Sequence, residues 1–318
     1  MVPADDGRGQ MNNTETRILE PGQIAPPTGE IRFLLLPGRD LFARRAERFR
    51  VLAPGHPVGE YLGFLALLAD AQQEALDRFP PLPLPTPEEQ ALCRRHGMPL
   101  LAVRSWPRNP AWREGLALIL RRMAGADVPA AVRETVDGLV SLPENRLEEM
   151  ADGILSGDLA AAPPRELPFV AAALQVYWVY LATAVGEQAF ARLEAGGVCP
   201  VCGSHPAAGI VRADGTEQGL RYLSCSLCAS QWHMVRIKCS ACEATEGIGY
   251  YSLEGSNGAI KAESCAGCNT YLKLLYLGKD GAMEATADDL ASLALDMLMA
   301  EAGKVRGGPN LFLHPGGA

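Results

Sequence analysis

The sequence predicts an α+β chain: an N-terminal all-α helical domain, then two tandem rubredoxin-like or zinc-ribbon β modules, then a C-terminal helix. Three observations carry that reading. Amphipathic segments with helical spacing follow one another through the first ~190 residues, and no strand-like alternation interrupts them. Eight of the nine cysteines fall between Cys199 and Cys268, all in C-x-x-C pairs. That window is also an internal repeat, because adding 40 to each cysteine number of its first half gives the second half. The expected divisions are a flexible leader over 1–30, the helical domain over 31–195, a first four-cysteine ribbon over 196–238, a second over 239–278, and a C-terminal helix and tail over 279–318.

Composition narrows the class of function. The chain has 318 residues, 48% hydrophobic and 21% charged, which is ordinary for a globular protein able to bury a core. It carries 29 Lys and Arg against 37 Asp and Glu, a net charge of −8. That balance opposes general binding to nucleic acid, which rests on clustered positive charge. The start, Met1-Val2-Pro3-Ala4-Asp5-Asp6, lacks the basic residues and apolar middle of a secretory signal, so the expected compartment is the cytoplasm. In that reducing setting regularly spaced cysteines read as metal ligands or redox thiols rather than structural disulfides.

Within the helical domain, Leu41, Phe42, Ala46, Phe49 and Leu52 share one helical face, with Asp40 as N-cap and Pro54-Gly55 as the stop. Arg44, Arg45, Arg48 and Arg50 are read onto the other faces, as a solvated basic surface or, alternatively, a docking surface for an acidic partner. A second helix runs from near Val58 to Phe79 and ends at the Pro80–Pro87 tract. Thr86 and Glu89 form a capping box for a short helix holding Cys93. Arg94, Arg95 and His96 could lower the pKa of that thiol, although a small packing residue is the plainer reading. Further helices are expected near Trp112–Met123, Ala130–Leu142 and Leu147–Leu155.

Leu167–Gly186 is a twenty-residue stretch without formal charge, long enough to span a bilayer. Its Pro168, Gln175 and mid-segment Tyr177, Trp178 and Tyr180 favour a buried helix of a helical domain instead, since interfacial aromatics belong at the ends of a membrane span. No stable membrane insertion is expected. No phosphate-binding glycine loop, nucleophile elbow or His-Glu-x-x-His appears in this half, so no catalytic residue is assigned and the chain is not expected to be an enzyme.

The cysteine pairs are Cys199/Cys202, Cys225/Cys228, Cys239/Cys242 and Cys265/Cys268. A C-x-x-C loop turns two thiolates toward one point, and a second loop about twenty residues on completes a tetrahedron around one cation. The repeat therefore predicts self-contained sites: Cys199, Cys202, Cys225 and Cys228 in the first, Cys239, Cys242, Cys265 and Cys268 in the second. The alternative is a cross-braced arrangement pairing the first and third loops. Strand-like runs at Gly249–Leu253 and Tyr271–Tyr276 suggest small antiparallel sheets. A 40-residue unit buries too little apolar surface to be stable alone, so bound metal would supply much of its folding energy. His233 and His205 are not read as ligands, because the repeat counterpart of His233 is Lys273. Four thiolates suit zinc and iron alike and leave no open position for a catalytic water. The two ribbons also sum to zero formal charge before the thiolates are counted, a poor surface for a polyanion.

Several stretches resemble the FdhE family of formate dehydrogenase accessory proteins: Gly219–Cys228, Val235–Cys239, Ile260–Cys265 with Thr270–Lys273, Arg44–Arg48, and Ala287–Asp296. The resemblance covers nearly everything after the leader. It implies a cytoplasmic, non-catalytic factor required for active formate dehydrogenase, which contacts the enzyme's catalytic subunit before export. It further implies rubredoxin-like iron at the eight cysteines, hence two metal ions per chain, and self-association to a homodimer that is sensitive to those cysteines. One departure concerns the residue after each second cysteine: Gly203 is the customary glycine, while Ala229, Glu243 and Asn269 occupy the other three places. A rubredoxin-type electron carrier and a zinc-ribbon adaptor for protein or nucleic acid are the alternative functions. The last expected helix has Thr286 as cap, an apolar stripe of Leu290, Leu293, Met297 and Leu298, and Gly303 as stop.

Overall fold

The computed structural model describes residues 30–213 and 217–313; the expected leader before Glu30 lies outside the described residues. Helical spacing is realised as α1 (Leu41–Leu52), α2 (Gly59–Asp77), α3 (Pro87–His96), α4 (Trp112–Ala124), α5 (Ala130–Val140), α6 (Glu144–Ser156) and α7 (Leu167–Val185). The capping box forms as expected: Glu89 N donates to Thr86 Oγ1 at 3.2 Å, and Thr86 N donates to Glu89 Oε2 at 2.7 Å. Asp40 does not cap α1; its carboxylate meets Arg44 instead, 3.3 Å away.

The charge-free α7 is the centre of the helical layer. By length and composition it could cross a membrane, but every side chain from Leu167 to Val179 is buried in the fold, against α2, α4 and α6. Its mid-segment aromatics find partners there. Trp178 Nε1 donates to Leu101 O at 3.0 Å, and the Tyr177 hydroxyl accepts from Trp106 Nε1 at 3.2 Å and from Asn109 N at 2.9 Å. A buried tyrosine or tryptophan needs such a partner for its polar tip.

The β half is one continuous sheet. Its strands are β1 (Leu34–Leu35), β2 (Pro206–Val211), β3 (Arg221–Cys225), β4 (Gln231–His233), β5 (Ile248–Tyr251), β6 (Ile260–Cys265), β7 (Thr270–Tyr276) and β8 (Val305–Arg306), in the order β1-β4-β3-β2-β7-β6-β5 with β8 beside the start of β7. Each ribbon is an antiparallel meander, β2-β3-β4 and β5-β6-β7, and the two are joined by parallel pairing of β2 with β7. Gly209 sits opposite Leu274 at this joint, where a Cβ would lie 2.5 Å from Leu274 Cδ2, so only glycine lets the two ribbons close. The helical half contributes β1 to the sheet, through Leu34 opposite Trp232.

The C-terminal helix is broken in two, α8 (Ala285–Leu290) and α9 (Leu293–Glu301). Glu284, not Thr286, caps α8: its carboxylate accepts from Thr286 N and Ala287 N at 3.0 and 2.8 Å. The break at Ala291-Ser292 is stabilised from both sides. Ser292 Oγ donates toward the carbonyls of Asp288 and Asp289, and the buried Lys273 ammonium donates to Asp289 O at 2.5 Å. These bonds satisfy carbonyls that the ended helix leaves unpaired. The break shifts the apolar stripe, so Leu290, Leu295 and Met299 are buried while Met297 and Leu298 face solvent.

The α1 arginines depart furthest from expectation. Arg44 and Arg50 are exposed, but Arg45 is buried and Arg48 nearly so. Their acidic partner is the C-terminal segment of the same chain. Arg45 donates to Glu284 Oε1 at 3.1 and 3.0 Å, and Arg48 to Asp288 at 2.8 and 2.5 Å and to Asp280 at 2.6 Å. Two of the stretches that carry the resemblance, Arg44–Arg48 in α1 and Ala287–Asp296, which begins in α8, are thus joined through Arg48 and Asp288.

Candidate metal centres

The eight cysteines gather into two groups, Cys199/Cys202/Cys225/Cys228 and Cys239/Cys242/Cys265/Cys268, and within each group all sulfur atoms lie within 4.8 Å of one another. The sites are self-contained; the cross-braced alternative is excluded by this grouping. Sequence dictates the local shape. Each group takes one pair from the loop before a meander and one from the turn after its middle strand, namely β3 for Cys225/Cys228 and β6 for Cys265/Cys268.

All four knuckles bend through the left-handed region: φ is 76° at Gly203, 56° at Ala229, 62° at Glu243 and 62° at Asn269. The last three are the only non-glycine residues at positive φ among the described residues. A Cβ in this conformation costs about 1–2 kcal/mol, less for asparagine. Two of the three side chains make contacts that glycine could not. Glu243 accepts from Gly196 N at 2.7 Å and pairs with Lys238 at 2.5 Å, while Asn269 donates to Gly303 O at 2.6 Å and accepts from Lys304 at 2.8 Å.

The sulfur geometry fits a tetrahedral ion. Metal–sulfur bonds of about 2.3 Å place tetrahedral sulfurs about 3.8 Å apart. The observed edges are 3.6 Å for Cys199–Cys228, 3.4 Å for Cys202–Cys225, 3.7 Å for Cys202–Cys228, and 3.7 Å for both Cys239–Cys268 and Cys242–Cys265. None is a disulfide; all nine cysteines are free. Burial pushes the Cys199 and Cys225 thiols well above the ordinary range, so a set of four thiolates there demands a compensating cation.

Outer contacts orient the sulfurs. Leu227 N donates to Cys225 Sγ and Ala241 N to Cys239 Sγ, both at 3.4 Å. The Ser230 hydroxyl lies 3.3 Å from Cys228 Sγ, and the Thr270 hydroxyl 2.9 Å from Cys268 Sγ. Ser230 and Thr270 are 40 residues apart, so the repeat carries this hydroxyl pair, which the sequence reading did not single out. Also missed was a buried polar chain: Arg45 Nη1 donates to Gln175 Oε1 at 2.9 Å, and Gln175 Nε2 donates to Ser226 O at 2.8 Å, inside the second knuckle of the first group.

The residues set aside from sulfur chemistry stay outside both groups. His233 packs edge-on against Tyr222 at 5.7 Å, its pKa lowered by burial and by the guanidiniums of Arg192 and Arg221. His205 is exposed. Cys93 lies half-buried on α3, and burial with nearby Glu89 raises its pKa, opposite to the influence its basic neighbours suggested. Two basic residues of the ribbons, Arg221 and Lys273, are fully buried with internal partners. Arg221 pairs with Glu263 across the ribbons and donates to the carbonyls of Val235 and Lys238, both at 2.6 Å. Lys273 is enclosed by Asp289 and Asp296.

A helical scaffold bearing two fused four-cysteine ribbons defines the class of protein. Comparison with known proteins gives the family. Three family models match in succession: "FdhE, N-terminal" over residues 31–195, "FdhE, central domain" over 198–236 and "FdhE, C-terminal domain" over 237–313. The chain belongs to the FdhE family. It is 46% identical over 307 residues to the "Protein FdhE homolog" of Pseudomonas aeruginosa, covering 94% of this chain and 98% of that one. It is 41% identical over 318 residues to "Protein FdhE" of Salmonella paratyphi B, covering 99% and 98%. The crystal structure of the FdhE protein from Pseudomonas aeruginosa superposes with a TM-score of 0.81 at 45% identity, covering 90% of this chain and all of that one.

Proposed function

We propose that this protein is a non-catalytic accessory factor required for formate dehydrogenase activity. In this reading it binds the enzyme's catalytic subunit in the cytoplasm, before export, and carries two tetra-cysteine metal centres. The observation that carries the reading is the coincidence of family membership along the described chain with two closed sets of four sulfurs. Cys199, Cys202, Cys225 and Cys228 would hold one ion, and Cys239, Cys242, Cys265 and Cys268 the other. The donor set accepts iron, which the family resemblance favours, and zinc equally well. Each ion would cross-link two loops of its ribbon, and so would organise the surface that meets the partner. Four sulfur ligands leave no site for a metal-bound water, which argues against hydrolytic chemistry at either centre.

The test is capture of the formate dehydrogenase catalytic subunit by the tagged full chain. A Cys225→Ser/Cys228→Ser variant, checked for retained helicity, should lose capture, and undiminished capture would remove the metal-organised surface. In a strain lacking this chain, formate dehydrogenase activity should fall and return on re-expression. Unchanged activity would overturn the accessory role.

A further inference from the structure

The two sulfur groups share a sequence pattern but not an environment. In the first group all four cysteines are buried, and so are the four residues inside the C-x-x-C loops, Pro200, Val201, Ser226 and Leu227. Helical-domain backbone seals it: Leu101 N donates to Val201 O at 2.9 Å and Val103 N to Cys202 O at 3.0 Å, and Gln175 holds Ser226 O. Its cysteines, with Leu223, Leu227 and Trp232, belong to the main apolar core. In the second group Cys239 and Cys265 are buried, but Cys242 is exposed and Cys268 partly so. The loop residues there are small, and three of the four, Ala241, Ala266 and Gly267, are exposed. The apolar clusters beneath the second ribbon contain only a handful of residues each.

We infer that the second group is a metal-exchange site and the first a permanent structural centre. This rests on the reading that both groups bind metal. An ion held there would be exchanged by ligand substitution without change of oxidation state: a donor atom of the incoming ligand would replace the exposed Cys242 Sγ, that thiolate would take a proton from water, and the other three cysteines would follow in the same way. An ion in the first group offers no face to such a ligand, because every loop around it is packed against protein, and its release requires that the core open.

The experiment uses the full chain loaded with zinc under reducing, anaerobic conditions and challenged with the chromogenic chelator 4-(2-pyridylazo)resorcinol. Of two zinc ions bound, one should transfer at least tenfold faster than the other. Alkylation with iodoacetamide after the fast phase, followed by peptide mapping, should label Cys239, Cys242, Cys265 and Cys268 and spare the first four. Equal rates, or labelling of Cys199–Cys228 first, would overturn the inference while leaving metal binding intact; a chain that loads no zinc or iron at all would instead overturn the underlying reading. A Cys242→Ser variant supplies an independent arm: it should lose one equivalent of zinc while its helical circular-dichroism signal is unchanged, and retention of two tightly held equivalents would contradict the assignment.

Discussion

Individual side chains settle several energies in this molecule. Asp289 is fully buried. Burial alone would raise its carboxyl pKa, but Lys273 and Arg306 beside it, with Asn310 donating at 2.9 Å, hold it below the usual carboxylate range. A carboxyl depressed on folding contributes stability that is present above its unfolded pKa of about 4 and lost as pH falls through the folded value. Acid titration should therefore destabilise the wild type below about pH 4, and an Asp289→Asn variant should show a shallower decline over that window. At neutral pH the same variant should lose about 3–5 kcal/mol in urea melts, since it leaves Lys273 and Arg306 undercompensated. At the knuckles, Ala229→Gly should raise stability by roughly 1 kcal/mol, the left-handed penalty less the entropy of added glycine; a loss there would contradict the reading of Ala229 as strained.

Whole elements show what a sequence can and cannot reveal. The helices of the first half were legible because apolar spacing and caps act locally, and the two sulfur groups were legible because the 40-residue repeat fixed their pairing. The break between α8 and α9 was not, because it depends on Lys273, distant in sequence, reaching the carbonyl of Asp289. Arg45 and Arg48, expected on a solvated basic or acid-docking surface, escape for the same reason: their acids lie in the same chain, some 230 to 240 residues further along. The β2–β7 joint left a single trace in the sequence, Gly209, which lies 40 residues before Gly249 as the repeat requires and is not otherwise marked. Gly209→Ala should force the ribbons apart by crowding Leu274 and lower stability by about 1–3 kcal/mol, whereas the corresponding Gly249→Ala, which meets only the Tyr251 ring at 3.4 Å, should cost less. Equal losses at both positions would show that the joint is not what Gly209 serves.

Across the whole molecule, two of the long-range ties that join the helical layer, the sheet and the C-terminal segment stand out. One is ionic, from α1 to the α8 region through Arg45 and Arg48; the other is the first sulfur group, built into the same apolar core as α7. Metal at that group would therefore stabilise the helical domain as well as its own ribbon. Stripping both ions with chelator in mild denaturant should lower the melting temperature of the helical signal by on the order of 10 °C, and an unchanged melt would separate the ribbon from the core. The central claim, that two closed sets of four sulfurs each hold one ion, is tested most directly by native mass spectrometry of the full chain isolated anaerobically with reductant. The predicted result is a folded species carrying two metal ions per chain, with only Cys93 open to alkylation beyond the exposed edge of the second centre. A compact, metal-free chain, or one whose C-x-x-C pairs are closed as disulfides, would contradict it.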